Sequence, residues 1–181
     1  VLLPESYHAN TKATYPVIYL LDGDYNFHSM SGMLDSLANK GQLIPDVILV
    51  GIADVGTSQY RQFMTPNDLI PGKASKGQAA EFLNFLQDEV KPYINKNYRT
   101  AKHSTIVGQS MGGLFVLNAL LEKPELFNNY VAVSPSVWIG EQGIVAKAKK
   151  KLAKTQHGPV YLSLSLADET RMGVYEFINV L

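Results

Sequence analysis

Hydrophobic positions along the chain fall into two alternating textures. Short runs that are apolar almost throughout occur at Val17-Ile18-Tyr19-Leu20-Leu21, at 46–52 (DVILVGI), at Thr105-Ile106-Val107, at Tyr130-Val131-Ala132-Val133-Ser134 and at 160–166. An unbroken apolar run of this length is the pattern of a strand buried on both faces, as strands of a parallel sheet are. Between these runs the apolar residues are spaced by three and four. Phe27, Met30, Leu34 and Leu37 predict a helix over 26–39, with Gly41 just past its end. Ser75-Lys76-Gly77-Gln78 has capping-box spacing, and Ala79, Phe82, Leu83, Leu86, Val90 and Tyr93 continue it as an amphipathic helix that Pro92 should end or kink. Further helices are expected over 112–121, over 143–152 with Ile144, Ala148 and Leu152 inward, and from Val174 onward. The stretch 53–72, with Arg61 and two prolines, reads as a long irregular connection, which in a compact domain usually serves function.

Strands that alternate with helices predict an α/β fold in which a mostly parallel sheet is covered by helices on both faces. Residues 1–181 contain no internal repeat, low-complexity segment or linker, so a single domain is expected. The opening Val1-Leu2-Leu3 reads as the tail of an earlier strand, and the helix begun at Val174 is abandoned at Leu181. The fold is therefore expected to be truncated at both ends.

Composition narrows the function. Sixteen basic and sixteen acidic residues cancel to a formal net charge of zero, which gives no footprint for nucleic acid or an anionic membrane and favours a small-molecule partner. No apolar run reaches the twenty or so residues of a membrane span, and the chain reads as soluble, with no compartment identified. The absence of cysteine excludes disulfides, thiolate metal sites and cysteine nucleophiles. The lysines 147, 149, 150, 151 and 154 suggest a phosphate site, but such a run is expected to be a solvated helix face.

In open parallel sheets ligands sit at the carboxyl ends of the strands. Asp22-Gly23-Asp24, Ser110, Ser134 and Asp168-Glu169 all lie at such ends. Gly108-Gln109-Ser110-Met111-Gly112 fits G-x-S-x-G, the nucleophile elbow in which a strand turns sharply into a helix and lifts a serine hydroxyl off the backbone. The pattern alone is weak. Its context, an apolar strand before and an apolar helix after, strengthens it over the plainer reading of Ser110 as a helix cap. A serine hydroxyl needs a base to take its proton and donors for the oxyanion that forms on the acyl carbon. The Met111 N–H would be one donor and the Asp24 N–H the other. Asp168 and Glu169 both qualify as the acid that orients the base, and spacing does not separate them. The chemistry requires neither cofactor nor metal. The order nucleophile, acid, histidine leaves the base unassigned. His8, His28 and His103 precede Ser110, His157 precedes the acid, and the catalytic histidine is expected beyond Leu181.

The chain resembles the putative-esterase branch of the α/β-hydrolases. The likeness rests on Leu3-Pro4-Glu5-Ser6-Tyr7, Tyr15 to Gly23, Arg61 with Thr65-Pro66, the elbow, and Ser134-Pro135-Ser136-Val137-Trp138. Within that branch Leu166-Ala167-Asp168-Glu169 and Met172-Gly173-Val174 look most like enterochelin-esterase-like members. The resemblance implies a carboxylic ester hydrolase with Ser110 as nucleophile, and Arg61 and Trp138 on the rim of the substrate cleft. A catalytically silent fold used as a binding module, or acyl transfer to an alcohol, are the alternatives the sequence leaves open.

Overall fold

A computed structural model describes residues 1–54, 60–69, 77–152, 161–165 and 173–181. In chain order these form α1 (Ser6–Ala9), β1 (Tyr15–Leu20), α2 (Gly23–Leu34), β2 (Ile48–Gly51), α3 (Tyr60–Met64), α4 (Ala79–Phe85), α5 (Lys91–Asn97), β3 (Thr100–Gln109), α6 (Met111–Glu122), β4 (Asn129–Val133), α7 (Gly143–Leu152), β5 (Tyr161–Ser165) and α8 (Val174–Ile178). The five strands make one sheet in the order β2-β1-β3-β4-β5, each pair parallel. Leu2 bonds Leu49 antiparallel through both backbone groups, so the opening residues lie beside β2 as a strand-like tail.

Alternation along each strand sorts the core into two layers. Ile18, Leu20, Leu49, Val107 and Val131 pack with Phe27, Met30 and Leu34 of α2. The intervening residues Val17, Tyr19, Ile48, Val50, Ile106, Tyr130 and Ala132 belong to the larger cluster, with side chains from α4 to α8. Both faces are therefore covered, which is why the strands read as continuous apolar runs. Helix α6 is the centre of the larger layer. Every residue from Gly112 to Leu121 is buried, because the helix lies on β3 and β4 and is itself covered by α3, α4 and α7.

Several elements depart from the sequence expectation for definable reasons. Helix α2 starts three residues early, because Asp22 takes a left-handed conformation (φ 51°, ψ 47°) that turns the chain directly into it. It then runs on through a π-helical turn, Asp35–Lys40. Helix α4 begins after Gln78, whose side chain caps nothing, so the cap expected at Ser75 does not start it; Ser75 itself lies outside the described residues. Pro92 neither ends nor kinks the chain out of helix. The π-helical turn Leu86–Val90 precedes it and leaves Pro92 in the first turn of α5, where its missing N–H is no loss. The stretch expected to be irregular holds α3.

The lysine run is only partly a solvated face. Lys149 and Lys150 are exposed, but the Lys147 side chain is 9% exposed and its ammonium meets Glu122 at 2.5 Å, Asn118 Oδ1 at 2.8 Å and Asp68 at 2.9 Å. Lys151 reaches the same Glu122 at 2.6 Å. Burial pushes the Glu122 carboxyl up, but hydrogen bonds from Lys147 and Lys151 outweigh it and hold the group below its usual range. This network ties α7 to α6 and to the chain just after α3. Removing one partner of a buried pair leaves the rest uncompensated. Lys147→Met is expected to lower the unfolding free energy by about 2 kcal/mol in urea titrations, less than a fully buried pair because Lys151 still serves Glu122. Lys149→Met should stay within about 0.5 kcal/mol of the parent.

Candidate active site

The sheet order reverses between β1 and β3: from β1 the chain moves outward to β2, then returns to lay β3 on the other side. A crevice opens at the carboxyl ends of strands flanking such a switch point. Here those ends carry Asp22 and Ser110. Leu21 donates its N–H to Val107 O at 2.9 Å, holding the two strand ends side by side. A Cβ added to Gly112 would lie 3.1 Å from Asp22 Oδ2 and 3.5 Å from Leu21 Cβ, so the starts of α2 and α6 are in direct contact.

Ser110 occupies the corner between β3 and α6 with φ 53° and ψ −112°, a conformation L-residues rarely adopt. Its neighbours show why glycine is needed there. A Cβ on Gly108 would sit 2.4 Å from Gly112 C and O, and one on Gly113 would sit 2.9 Å from Pro135 Cα. Strand and helix therefore approach as closely as bare backbone allows. The strained residue is held by Ser110 N–H to Val133 O at 3.0 Å and by Ser136 N–H to Ser110 O at 2.9 Å. Its side chain is exposed, and its Oγ lies 3.0 Å from Ser136 Oγ. The reading of Ser110 as a mere helix cap finds no support, since its hydroxyl makes no bond to the helix.

Two amides in the first turns of α2 and α6 are open. Among the described residues neither the Asp24 nor the Met111 N–H has an acceptor, as expected in a first helical turn. Gly23, one residue earlier, donates to Ile52 O at 2.8 Å and is occupied. Asp24 follows this occupied amide, and its carboxylate accepts the Asp54 N–H at 3.3 Å.

Asp22 is a member of the site that sequence reasoning noted only by position. Burial, then the like charges of Asp24 and Asp54, push its carboxyl up to about 6 against the opposing pull of Arg61. That pull also locates Arg61: α3 brings its guanidinium within electrostatic reach of the crevice. Trp138 lies in the turn after β4, two residues beyond Ser136, and is 52% exposed, so it is not a core residue. Asp168, Glu169 and His157 lie outside the described residues. His8, His28 and His103 are exposed, and none bonds Ser110; His28 meets Phe27 edge-on and His103 pairs with Asn129. Among the described residues no cluster of three metal-ligating side chains occurs, and no helix is long and apolar enough to cross a membrane.

A parallel sheet covered on both faces, with a serine at a strained strand-to-helix corner beside the switch point, defines an α/β-hydrolase-like protein. The model of the family described as "Putative esterase" matches residues 1–175, and the chain belongs to that family. It is 33% identical over 175 residues to a ferri-bacillibactin esterase, BesA, of Bacillus subtilis, an alignment covering 86% of this chain and 60% of that protein. It is 29% identical over 141 residues to a siderophore triacetylfusarinine C esterase of Aspergillus fumigatus, covering 74% of this chain and 48% of the relative. Among solved structures, an IroE-like serine hydrolase from Shewanella oneidensis superposes with a TM-score of 0.70 at 25% identity, over 99% of this chain and 71% of that one. The chain thus spans at most about 60% of the length of these curated relatives.

Two measurements probe the corner. Ser110→Gly and Ser110→Ala both remove the hydroxyl, but only glycine relieves the backbone, so the glycine variant should unfold with a free energy about 1–2 kcal/mol higher than the alanine variant. At Asp22 the folded state binds the proton more tightly than the unfolded chain, whose carboxyl titrates near 3.8. Its contribution is therefore most favourable at low pH and is lost as pH rises through about 6. Asp22→Asn, which keeps a residue tolerant of the left-handed conformation, should melt higher than the parent at pH 7.5, with the difference vanishing by about pH 4.

Proposed function

We propose that the protein is a serine carboxylic-ester hydrolase acting through an acyl-enzyme, with a siderophore-type small-molecule ester as substrate. The observation that carries this reading is the strained Ser110, held at a glycine-flanked strand-to-helix corner with its side chain exposed. Ser110 Oγ attacks the ester carbonyl and the Met111 and Asp24 N–H groups receive the oxyanion; each such donor is worth roughly 3 to 4 kcal/mol of barrier. A histidine takes the Ser110 proton and returns it to the leaving alcohol, oriented by Asp168 or Glu169. Arg61 and Trp138 form the rim, the first supplying a positive charge and the second an exposed aromatic face. The substrate class is supported by the ferri-bacillibactin and triacetylfusarinine C esterase relatives. No observation favours a silent binding module or transfer to an alcohol.

A fluorophosphonate probe tests the reading. It should label the full-length protein on Ser110, and Ser110→Ala should abolish labelling while leaving the fold intact by circular dichroism. A full-length protein that resists the probe would end this reading.

A further inference from the structure

Ser136 has no role in the reaction as set out above, yet its hydroxyl is within hydrogen-bond distance of the nucleophilic oxygen. Ser136 is 2% exposed and its Oγ is 3.0 Å from Ser110 Oγ, its one partner among the described residues. A buried hydroxyl left unpartnered costs free energy, so this bond is strongly favoured. Backbone fixes its position. Ser134 takes a positive φ of 45° at the end of β4, Pro135 is packed against Gly113, and the Ser136 N–H is bound to Ser110 O. The turn after β4 is thus bonded to the residue that performs the attack at both the main chain and the side chain.

We propose that Ser136 is a further catalytic residue, whose hydroxyl donates to Ser110 Oγ and stabilises charge on that oxygen as it enters and leaves the acyl bond. The inference rests on the reading of Ser110 as nucleophile. In acylation the Ser110 O–H bond breaks, its proton passes to the base, an Oγ electron pair forms the bond to the acyl carbon, and the bond from that carbon to the ester's alcohol oxygen breaks as that oxygen takes the proton from the base. The Ser136 hydroxyl donates to the second pair. In deacylation water attacks the acyl carbon and gives a proton to the base. The carbon–Oγ bond breaks with its electron pair returning to Oγ, which then takes that proton. Before the proton arrives Oγ carries developing negative charge, and a preorganised donor stabilises that state more than the neutral ester. The donor oxygen is already in place, because burial and the backbone bonds of the turn hold Ser136 Oγ 3.0 Å from Ser110 Oγ.

The test uses the full-length protein with p-nitrophenyl acetate, read as burst phase for acylation and steady state for deacylation. Ser136→Ala is expected to lower kcat by about tenfold to a hundredfold, with KM within about twofold and an unchanged melting temperature, since an interaction made mainly in the transition state is lost. Ser136→Cys fills nearly the same space with a much weaker donor, so it should behave like the alanine variant. Parental rates in Ser136→Ala, or recovery of the parental rate in Ser136→Cys, would show that the residue only fills space and would overturn the proposal. Fluorophosphonate labelling of the parent separates the two levels. A labelled parent with an unimpaired alanine variant overturns the role of Ser136 alone, whereas an unlabelled parent removes both.

Discussion

The contact on which the structure depends is the approach of β3 to the first turn of α6, where Gly108 and Gly112 meet with no room for a side chain on Gly108. A strand and a helix joined this tightly leave one residue between them, and that residue must accept a backbone few L-residues tolerate. Exposure of the Ser110 hydroxyl and the open Met111 amide both follow from that geometry. So does the burial of α6, which the corner aims straight back along the sheet. Strain at Ser110 persists because the surroundings over-determine it: bonds to β4 and to the turn beyond it hold the main chain, and a helix buried along its whole length holds the other side.

Most of this was legible in the sequence where a single physical rule dominates. Strands buried on both faces show as apolar runs, and the five runs are the five strands in the expected order. The corner was legible in part because the close approach of strand and helix leaves no room for a side chain on Gly108. What was not legible depends on partners distant in sequence. Pro92 predicts a broken helix from local rules, and only the preceding π-helical turn reconciles it with a continuous path. Lys147 looks like its exposed neighbours until Asp68 and Glu122 are seen beside it. Ser136 was visible as part of Ser-Pro-Ser immediately after the strand neighbouring the elbow, but no spacing rule says that its hydroxyl meets Ser110.

The molecule treats its buried charges in two ways. At the far side of α6 the Lys147 ammonium is enclosed by two carboxylates and an amide, an arrangement that fixes α7 and the segment after α3 against the core. At the crevice Asp22 sits among Asp24 and Asp54 with Arg61 as the opposing charge, and its proton is held more tightly as a result. The first arrangement spends its electrostatics on rigidity. The second leaves a carboxyl pushed up to about 6 against the first turn of α6, in the kind of environment where function tolerates what stability alone would remove.

The pairing of β1 with β3 joins residues as far apart in sequence as Val17 and Ser104. Non-local parallel pairings of this kind form late, since loop closure has to precede any reward from the contact. These two strands carry the start of α2 against the first turn of α6, so the packing around Ser110 is complete only once the central pair is in register. An unfinished or damaged molecule therefore lacks the packed corner, and its Ser110 sits on relaxed chain like any other serine.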